Sequence, residues 1–164
     1  MSNTMQTLRN GFKGPRRSTG IAAVEFVISV PLLIFFMLAV AELGRAFVQY
    51  GTLSYCVRNG ARFVSQRVTR STSGQIEIPG PVVAQARNLT VYGDVVSGVS
   101  PLLPDFATSQ VTVRTAGNDN IEVVATYPYR PMIGGGLLPI YSGTAAPTLF
   151  TMRIPLTMRA TSIL

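Results

Sequence analysis

The sequence predicts an α+β protein, in which a long amino-terminal transmembrane and amphipathic helix precedes a small domain. That domain is predicted to hold a short helix and an antiparallel sheet of three or four strands. The helix is predicted because an apolar run of membrane length continues into apolar residues spaced three and four apart. The sheet is predicted because apolar and polar residues alternate in the last third of the chain.

The composition leaves room for one domain and one membrane segment. The chain has 164 residues, and single domains usually take about 100 to 150. Hydrophobic residues make up 47% and charged residues only 13%, whereas a soluble domain carries about 25% charged residues. Because the apolar excess is concentrated in one run, the sequence favours a single-pass membrane protein over a multi-pass one.

Basic residues cluster before the apolar run. The net charge is +7, and the first twenty residues contain four basic side chains and no acid: Arg9, Lys13, Arg16 and Arg17. Positive charge beside a membrane segment marks the cytoplasmic side. The excess charge therefore predicts a cytoplasmic leader over residues 1–20, and nucleic acid is not an expected partner.

The apolar run is predicted to cross the membrane as a helix. Residues 21–41 would span about 31 Å at 1.5 Å per residue, which matches a hydrocarbon core of about 30 Å. Membrane lipid is therefore an expected partner. Glu25 is the only ionisable residue within this run. Pro31 also lies inside it and should bend the helix, since proline cannot donate to the carbonyl of Val27.

The helix is predicted to continue beyond the membrane, to about Val68. Apolar or small residues recur there along one stripe, with Arg58, Arg62 and Gln66 on a different, solvated face. The predicted stripe consists of Leu43, Phe47, Tyr50, Ser54, Val57, Ala61, Val64 and Val68. The continuing helix contains three glycines: Gly44, Gly51 and Gly60. Each lowers the helix propensity by about 1 kcal/mol relative to alanine, or else allows close helix packing, and packing with partners is favoured. Residues 42–70 are thus assigned to the extracytoplasmic part of the helix.

Residues 71–164 are predicted to form the small α+β domain. A short strand is expected at Gln75–Ile78 and a helix at Pro81–Tyr92, with proline at its first position and Gly93 as its C-cap. Residues 95–110 and 127–143 are rich in turn residues and are predicted to be loops.

Three strands are expected in the last third of this domain. Alternation at 111–114 and 121–127 around a turn at 116–120 predicts a β-hairpin. Alternation at 150–154 predicts a further strand, which Pro155 would confine to a sheet edge or mark with a bulge.

Residues with catalytic chemistry are scarce. The chain has no histidine, one lysine (Lys13) and one cysteine (Cys56), which is expected to be buried. Aspartates and glutamates are scattered, and Asn118–Asn120 is too short for a calcium loop. The sequence therefore predicts neither an enzyme nor a cofactor or metal site.

The amino-terminal third carries a specific set of motifs. A basic leader, Gly20, and then AAVEF at 22–26 are typical of a prepilin-type signal, in which cleavage follows the glycine. Together with PLL at 31–33, ELGR at 42–45 and RNGAR at 58–62, residues 20–65 resemble the TadE-like pseudopilins (minor pilins) of the tight adherence (Flp/type IVb) pilus system.

This resemblance implies a role in pilus assembly, surface adhesion and biofilm formation. A prepilin peptidase would cut between Gly20 and Ile21, and Glu25, followed by Phe26, would pair with the α-amine of a neighbouring subunit. The implied partners are that peptidase, other pilins and minor pilins, a secretion ATPase and the inner-membrane platform. The chain would cross the bacterial inner membrane once, with its carboxy-terminal domain in the periplasm, and could enter a surface pilus.

Two alternatives stay open at the sequence level. The chain could remain uncleaved, as a bitopic inner-membrane assembly factor of the same secretion system. Alternatively, Ala39-Val40-Ala41 could serve an ordinary signal peptidase and release an exported adhesin or hydrolase that begins at Glu42.

Overall fold

The computed structural model describes residues 19–98, 100–117, 119–131 and 150–161. These form two compact units, Met1–Ala39 and Val40–Leu164, of which the first is described from residue 19. Helix α1, Thr19–Ser65, contributes residues 19–39 to the first unit and 40–65 to the second.

The first unit consists, in its described part, of the apolar beginning of α1. Its large side chains are exposed, among them Val27, Leu33 and Phe36. Within the described residues, α1 is long and apolar enough to cross a membrane. Exposed side chains of this kind are stable in lipid and unstable in water, which suggests that this part of the chain anchors the protein in a membrane.

The second unit has two antiparallel sheets and a second helix. Two short strands, β1 (Thr69–Arg70) and β2 (Ile76–Glu77), pair as a ribbon. Helix α2 (Gly80–Tyr92) follows, and then a three-residue 3₁₀ turn, Thr108–Gln110. The remaining strands form a sheet in the order β3-β4-β5: β3 (Val111–Gly117), β4 (Asn120–Tyr129) and β5 (Phe150–Arg159). This architecture confirms the predicted α+β class.

The predicted local signals at α2 and at the hairpin are confirmed. Pro81 lies in the first turn of α2, and Gly93 closes the helix with φ 78°, in the left-handed region that glycine adopts without strain. At the hairpin, Gly117 and Asp119 both have positive φ, which allows the chain to reverse between β3 and β4. Asn118 lies outside the described residues.

Strand β4 is longer than predicted. The strand was expected to end and a loop to begin at Tyr127, but Tyr127, Pro128 and Tyr129 pair with Met152, Thr151 and Phe150 of β5. The loop prediction was wrong there because the alternation of β4 continues through its tyrosines, both of which are buried. The rest of the predicted loop, from 132 to 143, lies outside the described residues. Pro155 of β5 pairs with Val124 of β4. Strand β5 is an edge strand of the sheet, as predicted for a strand that contains proline, because proline has no N–H to donate.

The core lies between the later part of α1 and the sheet. Leu53, Val57 and Ala61 pack in one cluster with Val123 and Ala125 of β4. A second cluster joins the end of α1 to α2, β4 and the end of β5, through Val64, Ala86, Ile121 and Ala160. The helix ends at Ser65, short of the predicted Val68, although Val68 is buried.

The rest of the chain covers only the second half of the predicted stripe on α1. Leu43, Phe47 and Tyr50 are 57%, 66% and 50% exposed, whereas Val57, Ala61, Val64 and Val68 are buried as expected. The sheet instead covers a neighbouring face, occupied by Ala46, Gln49, Leu53 and Cys56. Spacings of three and four fit both faces, because Ala46, Leu53 and Cys56 are also small or apolar and follow the same helical spacing. Arg58, Arg62 and Gln66 are exposed, as predicted.

Candidate functional site

The predicted processing site lies in the first turn of α1. Gly20 and Ile21 follow the first helical residue, Thr19, and both are exposed. A Cβ added to Gly20 would meet nothing within 4 Å. Cleavage at the Gly20–Ile21 bond stays a prediction, and no described residue packs against Gly20.

Glu25 and Phe26 lie one turn later. Both are exposed, and Glu25 forms no ion pair with any described residue. Glu25 is four residues after Ile21, so the two side chains lie on the same face of the helix. A carboxylate among apolar side chains is costly in a membrane unless a cation accompanies it. The predicted pairing of Glu25 with a neighbouring subunit stays a prediction.

Pro31 lies within α1, and the helix continues on both sides of it. Its ring nitrogen cannot donate to the carbonyl of Val27, so one bond of the helical ladder is absent. The predicted bend at this position stays a prediction.

A polar contact that sequence reasoning missed lies just after the apolar run. The hydroxyl of Tyr129, at the end of β4, donates to the carboxylate of Glu42 on α1. Tyr129 is fully buried, and its ring stacks on that of Phe150 at a centroid distance of 5.0 Å. Burial, and then the hydrogen bond to Glu42, raise the pKa of Tyr129 to about 12. The pair thus links the end of β4 to α1. The recurring tyrosines at 127 and 129 were the available signal in the sequence, but they do not by themselves indicate Glu42 as a partner.

The RNGAR segment has an internal packing role. Gly60 and Ala61 are buried, whereas Arg58 and Arg62 point to solvent. A Cβ on Gly60 would overlap Oγ1 of Thr90 on α2. Gly60 therefore allows α1 and α2 to approach closely within one chain, rather than between subunits as predicted. Gly44 and Gly51, by contrast, have nothing within 4 Å of an added Cβ.

The remaining reactive groups are dispersed. Cys56 is buried, as predicted, and burial raises the pKa of its thiol. In the described part of the chain, no three cysteine, aspartate, glutamate or histidine side chains lie close enough together to hold a metal ion. Among the described residues, three ion pairs lie near the surface, each between one arginine and one carboxylate: Arg70–Asp119, Arg114–Glu122 and Arg130–Asp105.

Comparison with known families gives a match to the amino-terminal helix. Residues 20–62 match the family model of TadE-like proteins, which confirms the predicted resemblance over that segment. The match covers about a quarter of the 164 residues and contains every predicted site residue. These are Gly20, Ile21, Glu25, Phe26 and Pro31. Searches of curated proteins and of solved structures each found no match.

Proposed function

We propose that this protein is a minor pilin of a tight adherence pilus, processed after Gly20 and carried into the filament by helix α1. The observation that carries the proposal is the match of residues 20–62 to TadE-like proteins, over a helix that is apolar, exposed and interrupted by Glu25. The second unit adds a small folded domain, which a shaft subunit made of a helix alone would not need. Surface adhesion and biofilm formation would be the outcome of pilus assembly.

Processing would convert an anchored precursor into a mobile subunit. Residues 1–20 carry four basic side chains, which hold their end of the chain on the cytoplasmic side. A prepilin peptidase that cuts the Gly20–Ile21 bond removes this charge and leaves a new α-amine on Ile21. With an ordinary pKa of about 8, that amine is mostly protonated at neutral pH.

Assembly would then use the charge of Glu25. The carboxylate, exposed on an apolar helix, would accept an ion pair from the α-amine of a neighbouring subunit. In the bilayer a lone charge costs about 3 kcal/mol on insertion scales, which pairing relieves. Phe26, beside it, would pack against the neighbouring helix. The inner-membrane platform and its secretion ATPase would supply the machinery that adds subunits.

The processing step is tested by Gly20→Ala with Gly44→Ala as its matched control. Both glycines lie on α1 with nothing within 4 Å of an added Cβ, so alanine should fit at either position. Loss of cleavage in Gly20→Ala alone, seen by the size of the protein on an immunoblot, would reflect recognition by the peptidase. Cells that lack the peptidase should accumulate the same longer form. An unchanged size in both cases would contradict processing and support the uncleaved assembly factor.

The pairing step is tested by Glu25→Ala with Glu77→Ala as its control. Both carboxylates are exposed, but Glu77 lies on β2, outside the matched residues. We expect Glu25→Ala to be cleaved normally and to be lost from sheared pili, whereas Glu77→Ala behaves as the parent. Normal incorporation of Glu25→Ala would refute the pairing role while leaving processing intact.

A further inference from the structure

Three arginines near the end of α1 have no carboxylate partner among the described residues. Arg58 and Arg62 lie one turn apart on the solvent side of α1, and Arg67 follows the helix. All three are exposed, and none of them forms an ion pair with a described residue. The guanidinium of Arg67 lies over the ring of Phe63, 3.9 Å from its centroid. We call these three arginines the basic strip.

No undescribed residue can neutralise the basic strip with a carboxylate side chain. The sequence has seven acidic residues, and all of them lie within the described ranges: Glu25, Glu42, Glu77, Asp94, Asp105, Asp119 and Glu122. Residues 132–149 contain none. Three of the seven pair with other arginines, as described above. Since like charges one turn apart on a helix repel each other, the basic strip is complementary to an anion from outside the chain.

The basic strip lies too far along α1 to meet the phosphates of the membrane. If the hydrocarbon core ends near Ala41, Arg58 lies about 26 Å further along the helix, at 1.5 Å per residue. The polar headgroup region adds only about 5 to 8 Å on each side of the core. An anion that meets the basic strip is therefore not a lipid of the membrane that α1 would cross.

The side chains beside the basic strip are suited to a sugar. Tyr55, nearly one turn before Arg58, is 66% exposed, and Gln66, just after the end of α1, is exposed as well. A phenol and an amide can each donate to and accept from the hydroxyl groups of a sugar. A guanidinium donates two parallel hydrogen bonds to a carboxylate. Nucleic acid is less well matched, because single strands bind in a charged groove with aromatic rings for successive bases, whereas the basic strip follows the outside of a helix.

We propose that the basic strip binds an acidic polysaccharide, a polymer whose sugars carry carboxylate groups. This rests on the proposed function, since it names what the second unit of a pilus subunit would contact in surface adhesion. Arg58 and Arg62 are about 6 Å apart along the helix axis, so their long side chains can reach carboxylates on neighbouring sugars of one polymer. Arg67 would extend the contact past the end of α1. Because the contact is exposed, it is weak at each arginine and is screened by salt.

The test measures binding of the full chain, in detergent, to immobilised alginate, a polymer of uronic acids, at low ionic strength. The variant Arg58→Gln/Arg62→Gln removes two positive charges from the basic strip. Its matched control, Arg153→Gln/Arg159→Gln, removes the same charge from exposed positions on β5. We expect the strip variant to bind about tenfold more weakly, as for the loss of two exposed ion pairs, and the control to stay within about twofold of the parent.

A second variant separates binding from folding. Arg62 lies in the last turn of α1, where a basic side chain also stabilises the helix, so urea unfolding is measured for each variant. Arg58→Lys/Arg62→Lys keeps both charges and the helix stabilisation but loses the forked donors. It should bind more weakly than the parent and more tightly than the glutamine variant. Binding equal to that of the parent would contradict pairing between guanidinium and carboxylate groups.

Several results would overturn the proposal. These are equal losses in the strip variant and its control, no binding of the parent to alginate, or tighter binding to single-stranded DNA or phosphatidylglycerol vesicles that depends on the strip. The amino-terminal residue of the protein in sheared pili is determined in parallel. If it is Ile21 and alginate is not bound, only the polysaccharide contact is wrong. If the leader is intact, the proposed function itself fails, whatever the binding result.

Discussion

Gly60→Ala should destabilise the second unit, although alanine is normally the better helix residue. An alanine Cβ at this position would overlap Oγ1 of Thr90 and lie 3.5 Å from the carbonyl oxygen of Ala86. Thr90 is fully buried, and its hydroxyl donates to that same carbonyl at 2.8 Å. The side chain cannot rotate away without breaking this bond, and its β-branched carbon leaves it few alternatives.

Two unfavourable free-energy terms and one favourable term decide the effect of Gly60→Ala. Overpacking costs about 1 to 3 kcal/mol, and an unsatisfied buried hydroxyl about 1 to 3 kcal/mol, against a gain of about 1 kcal/mol from helix propensity. We therefore expect Gly60→Ala to lower the free energy of unfolding by about 2 kcal/mol. Gly51→Ala, on the same helix with open space around it, should raise it by up to about 1 kcal/mol.

The assay is urea unfolding of the full chain in detergent, followed by the near-ultraviolet circular dichroism of the tyrosines. A double variant, Gly60→Ala with Thr90→Ala, should recover part of the loss, because the overlapping hydroxyl is gone. The two changes would then be non-additive, as expected for residues in contact. If Gly60→Ala is as stable as the parent, the close approach of α1 and α2 at this glycine is wrong.

Two further predictions concern the tyrosines of β4. Tyr129→Phe should lower the free energy of unfolding by about 1.5 to 3 kcal/mol, because the hydroxyl of Tyr129 donates to a carboxylate. Tyr127→Phe should lower it by about 1 kcal/mol, because the hydroxyl of Tyr127 donates to the neutral carbonyl of Pro104 at 3.0 Å. Equal losses in urea unfolding would contradict a special role for Glu42. Since the pKa of Tyr129 is raised to about 12, the folded state holds this proton more tightly than the unfolded state. Stability should be unaffected below about pH 10, fall as the pH rises towards 12, and fall less steeply in Tyr129→Phe.

The fold class was predictable because its signals are local. Pro81 and Gly93 mark the two ends of α2, and alternation marks β4 and β5, so each element could be placed from its own residues. The face of α1 that meets the sheet was not predictable in the same way. Apolar residues lie on more than one side of this part of α1, and only the position of the sheet decides that Ala46 and Leu53 are buried while Phe47 is exposed.

Some residues of the candidate site could likewise be identified from local sequence, and others could not. Glu25 and Pro31 could be identified because they interrupt a uniform apolar sequence, whereas Gly20 was identified from the resemblance to prepilin-type signals. The contact between Tyr129 and Glu42 joins residues 87 positions apart in the sequence, and no local pattern predicts such a pair. The close approach of Gly60 to Thr90 could not be predicted for the same reason, since it depends on how two helices cross.

The amino-terminal residue of the protein recovered from sheared pili decides between the possible fates of the leader. If the chain is a processed minor pilin, sequencing will give Ile21, the residue after Gly20. An intact leader on a protein confined to the membrane fraction would instead indicate an uncleaved assembly factor. A chain that begins at Glu42 would mean that an ordinary signal peptidase had removed the membrane segment, and it would contradict assembly through helix α1.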